Sequence, residues 1–230
     1  MLDYLIPSAD QAWLVRRCCP QRRRKALGTK PDNITPIVIA AVKNLRENLD
    51  PKTEGRDSAA ALQLLDSTLL RQWVSKAVEF NSGSGEYLRL AGELAFLATL
   101  AGCTDKTFFA EVRNVLDLFH TSRGEHGIHE YGALWYSAMA TVLLAEETTN
   151  TDAEAKAMAQ KAIERRLVDT APEAYLMTDV AMATLALRGL QPDFKAAKHY
   201  LNQAAYAGRP GGQLVRNYAH QKLGELQRDG

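Results

Sequence analysis

The segment "HTSRGEHGIHEYG", residues 120 to 132, gathers His120, Glu125, His126, His129 and Glu130. Two imidazoles three residues apart beside carboxylates are donors of the kind that hold zinc. The spacing matches no closed zinc-site signature, and ligands also need hydrogen-bonding partners behind them to hold their orientation. A polar connection between helices, turning at Gly124 and Gly127, accounts for the same residues, so no metal is assigned. The thiols offer less. Cys18, Cys19 and Cys103 are an odd set with two adjacent, which fits reduced thiols better than a disulfide framework. Cys103, in "LAGCTDK" near a helix end, has no base beside it to make it a nucleophile. No glycine loop followed by lysine is present to cradle phosphate, and "GRPGG" at 208–212 lies between helices, not after a strand. The expectation is a protein that is not an enzyme and uses no cofactor.

A second cluster is purely basic. "RRCCPQRRRK" carries Arg16, Arg17, Arg22, Arg23, Arg24 and Lys25 against no acid. It admits three readings: a solvated or protein-docking patch, a site for nucleic acid or another polyanion, and a contact for an anionic membrane surface, with acylation of the adjacent cysteines as a second anchor. Trp13 is the one nearby aromatic for stacking, and the 28 basic residues barely exceed the 27 acidic ones, which argues against nucleic acid. Apolar runs such as "IVIAAV" at 37–42 fall short of the roughly 20 residues that span a bilayer, and Asp3 stands where a signal peptide wants base. A cytoplasmic chain without signal peptide or transmembrane segment is expected.

The elements that must position these groups are helical. Ser8 with Gln11 is a capping box that starts a short helix, stopped by Pro20. Thr35 and Pro36 predict a second helix over 36–49, and Asp57 or Ser58 caps a third in which Leu62, Leu65, Leu69, Trp73, Ala77 and Phe80 recur at helical steps. "NSGSGE" at 81–86 is the best candidate for a boundary, separating an N-terminal helical region, 1–80, from a repeat domain, 86–230. Helices follow near 87–101, 107–120, 130–147, 152–167, 173–188, 193–207 and 212–228. No stretch alternates as a strand would, so the fold is read as all-α.

The helices also repeat. "AMAT" occurs at 138–141 and again at 181–184, and the same step of 43 lands on Ala95 and Gly224. Ala155 and Ala162 are seven apart, as are Ala197 and Ala204; Phe108 and Phe194 are separated by twice the period. Small residues at fixed helical positions let backbones approach, which stacked antiparallel helix pairs require. The stretch "VAMATLALRGLQPDFKAAKHYLNQAAYAGRP" resembles a tetratricopeptide-like repeat of the longer-loop, Sel-like class. Ala181, Gly189, Asp193, Phe194, Ala197, Ala204, Ala205 and Gly208 carry the match over 180–210. Units at 133–170 and 87–120 match less, and "LGELQRDG" at 223–230 is similar to the start of another. The departures are alanine for the first-helix glycine in the inner copies, Leu187 in place of a second loop glycine, and a longer period.

The resemblance implies an α-solenoid of stacked antiparallel helix pairs behind an N-terminal helical cap. It implies an adaptor or chaperone-like scaffold for another protein or peptide; many such proteins are bacterial, including secretion-system accessories and effectors. First helices of the family line a concave surface, which puts Arg89, Phe96, Trp135, Met139, Tyr175, Thr178, Met182, Tyr218 and Gln221 on one partner-binding stripe. Aromatic and methionine residues at helical spacing equally describe a core, and both readings stand on sequence alone. Oligomeric state is left open.

Overall fold

The computed structural model describes residues 31–65, 73, 85–146, 151–165, 172–188, 191–206 and 212–228. The short helix expected before Pro20, the basic segment 16–25 and the glycine-rich residues 81–84 lie outside them. Every regular element among the described residues is an α-helix: α1 (Pro31–Leu49), α2 (Ser58–Leu65), α3 (Gly85–Leu100), α4 (Lys106–Glu146), α5 (Thr151–Glu164), α6 (Pro172–Arg188), α7 (Phe194–Tyr206) and α8 (Gln213–Arg228).

Local chemistry sets the boundaries. Asp57 Oδ1 accepts the Ala59 and Ala60 N–H groups at 3.0 Å, capping α2 as its sequence predicts. Asp105 does the same for Thr107 and Phe108 at the start of α4, and Asp193 for Ala196 in α7. At the end of α3 the Cys103 N–H reaches the Ala98 carbonyl and the Gly102 N–H reaches Thr99, with Gly102 at φ 75°. This pairing satisfies the last carbonyls and needs a left-handed residue that glycine adopts without strain. The start of α1 differs from expectation. The helix begins at Pro31, where proline suits a first position, and Pro36 lies inside it. So near the N-terminus, proline removes one early backbone bond and leaves the later turns intact.

The larger correction concerns 120–132, expected as a polar loop. Helical residues run from Lys106 to Glu146 without a non-helical residue between. A straight helix would hold Arg113 and Glu146 about 50 Å apart at ~1.5 Å per residue. Instead Arg113 Nη1 donates to both carboxylate oxygens of Glu146 at 3.2 Å, and Trp135 Nε1 donates to the Leu116 carbonyl at 2.8 Å. The rings of Phe119 and Tyr131 meet at 5.9 Å. α4 is therefore two antiparallel legs. The chain reverses between residues 120 and 131, the stretch that holds Gly124 and Gly127, but it stays helical through the turn.

Packing follows chain order. α3 lies on α4, α4 on α5 and α6, α5 on α6, α6 on α7 and α8, and α7 on α8, while α1 covers α2 and α3. Val38, Ala41, Val42, Leu45 and Leu49 recur at helical spacing along α1, and all are buried. They join a cluster that includes Trp73, edge-on to Tyr87 at 5.5 Å, and runs through α3 and α4 to Ala181. A second cluster joins α6, α7 and α8 around Phe96 of α3, and a third is built on Ala140, Ala159 and Met182.

The repeated small residues divide into two groups. Ala95, Ala138 and Ala181 are buried, as are Ala155, Ala162, Ala197 and Ala204. A Cβ placed on Gly92 would lie 3.0 Å from that of Ala138, so α3 and the second leg of α4 meet almost backbone to backbone. Gly224, the outermost position of the 43-residue step, has nothing within 4 Å of such a Cβ. It does not share the packing role of the inner positions. Phe108 and Phe194 differ likewise: the first is 1% exposed and the second 51%, because no described element covers the start of α7.

These differences give opposite signs for two substitutions. Gly92→Val drives methyl groups into Ala138 and is expected to cost about 1–3 kcal/mol, read as a lower denaturant midpoint. Gly224→Ala meets open space inside a helix and is expected to gain up to about 1 kcal/mol in the same titration.

Candidate partner-binding surface

The nine residues expected on one exposed stripe do not stay together at the surface. Arg89 is exposed, 3.7 Å from Glu93 one turn on. Phe96, Trp135, Met139, Thr178 and Met182 are buried, and this is a correction to the groove reading. The helices that carry them are covered on more than one side. Phe96 belongs to the cluster of α6, α7 and α8, Met139 to the main core, and Met182 packs with Ala140 and Ala159 beneath Tyr200. Trp135 spends its indole N–H on Leu116 and lies 5.0 Å from the ring of His120. The side chain of Tyr175 lies outside the described residues. Only Tyr218 and Gln221, half-buried on α8, line open space.

Two clefts meet there. One, of about 320 Å³, has Val180, Ala183, Thr184, Leu187 and Arg188 of α6, Leu201 of α7, and Tyr218, Lys222, Glu225 and Leu226 of α8 as its walls. The other, of about 340 Å³, is formed by Leu49, Pro51 and Arg56 between α1 and α2, by Thr99, Leu100 and Gly102 at the end of α3, and by Tyr218, Gln221 and Lys222. Tyr218 and Lys222 border both. α8 is held in place by Asn217, whose Nδ2 donates to the two Asp50 carboxylate oxygens at 2.8 and 3.1 Å. Gln213 Nε2 in turn donates to Asn217 Oδ1 at 2.8 Å.

The polar groups of the clefts are coupled. Lys222 Nζ donates to Glu225 Oε2 at 2.7 Å, and Gln221 Nε2 donates to Glu225 Oε1 at 2.8 Å. Those hydrogen bonds, Lys222 first, hold the Glu225 carboxyl below its ordinary range. Burial would lower Lys222, but its bond to Glu225 and the nearby charges outweigh that and raise it. Burial pushes the Tyr218 phenol up, against a smaller opposing pull from Lys222, so it stays a neutral donor at physiological pH. The ammonium lies 5.7 Å from the Tyr218 ring centroid. Apolar walls with a phenol and cations at the rim can bind and orient a ligand.

Sequence reasoning found Tyr218 and Gln221 but not Lys222, Arg56 or Arg188. Tyr218, Lys222 and Glu225 at i, i+4 and i+7 were a readable signal of one polar helix face. Arg56 carries no such signal, since only the fold brings it to α8. The basic patch of Arg16, Arg17, Arg22, Arg23, Arg24 and Lys25 lies outside the described residues, as do the side chains of His126 and His129. Among the described residues no group of three His, Cys, Asp or Glu side chains is placed to hold a metal ion, and no helix is long and apolar enough to cross a membrane. Compared with protein-family models, with curated proteins and with solved structures, the chain matches none.

Two outcomes check this description. Met139→Ala leaves a cavity in the main core and is expected to cost about 2–5 kcal/mol in denaturant unfolding. Glu225 sits below its ordinary value when folded, so its contribution is present above pH about 4.5 and is lost as pH falls through the folded value. Wild type is expected to exceed Glu225→Gln in thermal stability at neutral pH, with the difference vanishing in acid.

Proposed function

We propose that this chain is a non-enzymatic protein-interaction module. In this reading it is an array of antiparallel helix pairs of the tetratricopeptide or Sel-like kind, and it holds a segment of another polypeptide in the furrow across α8. The pairs are α3 with the first leg of α4, the second leg with α5, and α6 with α7, while α8 opens a further pair. α1 and α2 cover the N-terminal side, through the α1–α3 contact and the Arg46–Glu93 ion pair. One observation carries the reading: successive first helices are packed at a nearly constant chain offset. Arg188 Nη1 donates to the carbonyl of Leu144, 44 residues before it, at 2.6 Å. Gly92 of α3 faces Ala138 of the second leg of α4, 46 residues after it. Arrays with a fixed offset present one continuous surface along their length, which suits an extended or helical segment. Adaptor, chaperone-like holder and assembly subunit all fit that role, in a reducing compartment where Cys103 stays a thiol.

The test is affinity capture from cell extract on wild type and on Tyr218→Ala, with circular dichroism to show that both are folded. One polypeptide retained at raised salt by wild type and weakened at least about tenfold by the substitution supports the reading. Capture that ignores the substitution but collapses with salt or nuclease overturns it and gives the binding to the basic segment 16–25.

A further inference from the structure

Residues 191–228 carry Lys195, Lys198, Arg209, Arg216, Lys222 and Arg228 against Asp193 and Glu225, although the whole chain holds 28 basic residues and 27 acidic ones. Both acids are engaged. Asp193 caps α7, and Glu225 is held by Gln221 and by Lys222, whose charge it balances. Lys195 and Lys198 make no ion pair with a described residue. The outer side of α7 is regular: Ala197, Leu201, Ala204 and Ala205 are buried, and opposite them Lys195, His199, Asn202 and Tyr206 are all exposed, at i, i+4, i+7 and i+11. Of the three large hydrophobic side chains exposed among the described residues, two lie on this helix, Phe194 at 51% and Tyr206 at 71%. The rings are held. Tyr206 meets exposed His220 of α8 edge-on at 4.9 Å, and Gln203 Nε2 lies 3.2 Å from His199 Nε2, one turn away.

Rings held open to solvent beside unpaired ammonium groups suit a single nucleic-acid strand, whose bases stack on the rings and whose phosphates pair with the cations. A duplex hides its base faces and would leave Tyr206 without a role. An anionic bilayer would want large apolar side chains along the stripe, where this face carries Asn202 and Gln203. An acidic peptide would pair with the ammonium groups without needing flat ring faces. We propose that the outer face of α7, extended by His220, docks single-stranded nucleic acid. Tyr206 and His199, two turns and about 10 Å apart, each stack a base, and Lys195 and Lys198 take phosphates. None of these residues lines the clefts across α8, so this surface stands apart from the one that holds a polypeptide.

The experiment uses the full chain and fluorescein-labelled strands of about twelve nucleotides, made as DNA and as RNA. Each is paired with an abasic strand of equal length, which keeps the phosphates and lacks the bases. Anisotropy is read for wild type, Tyr206→Ala, Lys195→Ala, the combined Arg22→Ala, Arg23→Ala and Arg24→Ala variant and, as a surface control, Lys156→Ala on the exposed face of α5. Wild type is expected to prefer the intact strand to the abasic one at least about tenfold, in the sugar form that it binds. Tyr206→Ala is expected to remove most of that preference. Lys195→Ala is expected to weaken both strands alike and to lower the slope of log affinity against log salt by about 0.7, and Lys156→Ala to change neither. Equal binding of intact and abasic strands, full binding by Tyr206→Ala, or an acidic ten-residue peptide that binds as tightly as the strand overturns the proposal. Binding lost in the arginine variant alone also overturns it and moves the site to segment 16–25. Tyr206 and Lys195 are exposed, so their variants fold and both arms read out. Polypeptide capture through Tyr218 is read separately, so either proposal can fail without the other.

Discussion

The contact on which the rest of the packing depends is the meeting of α3 with the second leg of α4 at Gly92 and Ala138. With no Cβ on one side and a single methyl on the other, the two backbones come as close as van der Waals contact allows. Everything around that seam is sized to it. Large side chains such as Phe109 and Leu134 are buried in the same cluster, and Ala181 extends the cluster to α6. The seam also explains the burial pattern of α3, in which nearly every residue from Tyr87 to Ala98 is buried. A helix apolar on all sides is stable in water only when neighbours surround it. α1, α4 and, through Phe96, the α6–α8 cluster supply those neighbours.

A core this crowded leaves few places for polar groups, and those present are mostly matched. Glu93, buried in α3, is held by Arg46 from α1 and by Arg89 one turn away. The Trp135 indole bonds across the two legs of α4, and Arg113 and Glu146 clamp the same legs near their open end. Among the described residues the exceptions are Ser137 Oγ and Glu111 Oε2, both buried without a hydrogen-bond partner. They sit in opposite legs of α4, so the hairpin carries both these ties and the unsatisfied groups.

Much of this was legible in the sequence because it is local. The expected helices near 87–101, 152–167, 173–188, 193–207 and 212–228 correspond to α3, α5, α6, α7 and α8 within about three residues. The Asp57 cap and the Asp193–Phe194 opening of α7 are chemistry between residues close in the chain. What failed needed knowledge of neighbours. Periodicity gives the apolar face of the helix bearing Trp135 and Met139, but not that other helices close over it. The residues that shape the furrow come from α1–α2, α3, α6, α7 and α8, so those outside the polar face of α8 could not be read from one stretch of chain. Pro36 and the reversal in α4 failed for another reason: a helix tolerates a proline early on, and two helices can abut without a loop.

The Asn217–Asp50 bond joins groups 167 positions apart, in α8 and in the turn that ends α1. An array whose helices touch only their chain neighbours behaves as a one-dimensional lattice, able to melt from either end one unit at a time. Here a hydrogen bond to a carboxylate links the outermost described helices directly. Fraying of α8 then breaks a tie to α1, and loss of α1 removes one of the ties that hold α8. The tie couples α1 to α8, and this pushes unfolding away from stepwise unzipping toward one cooperative event.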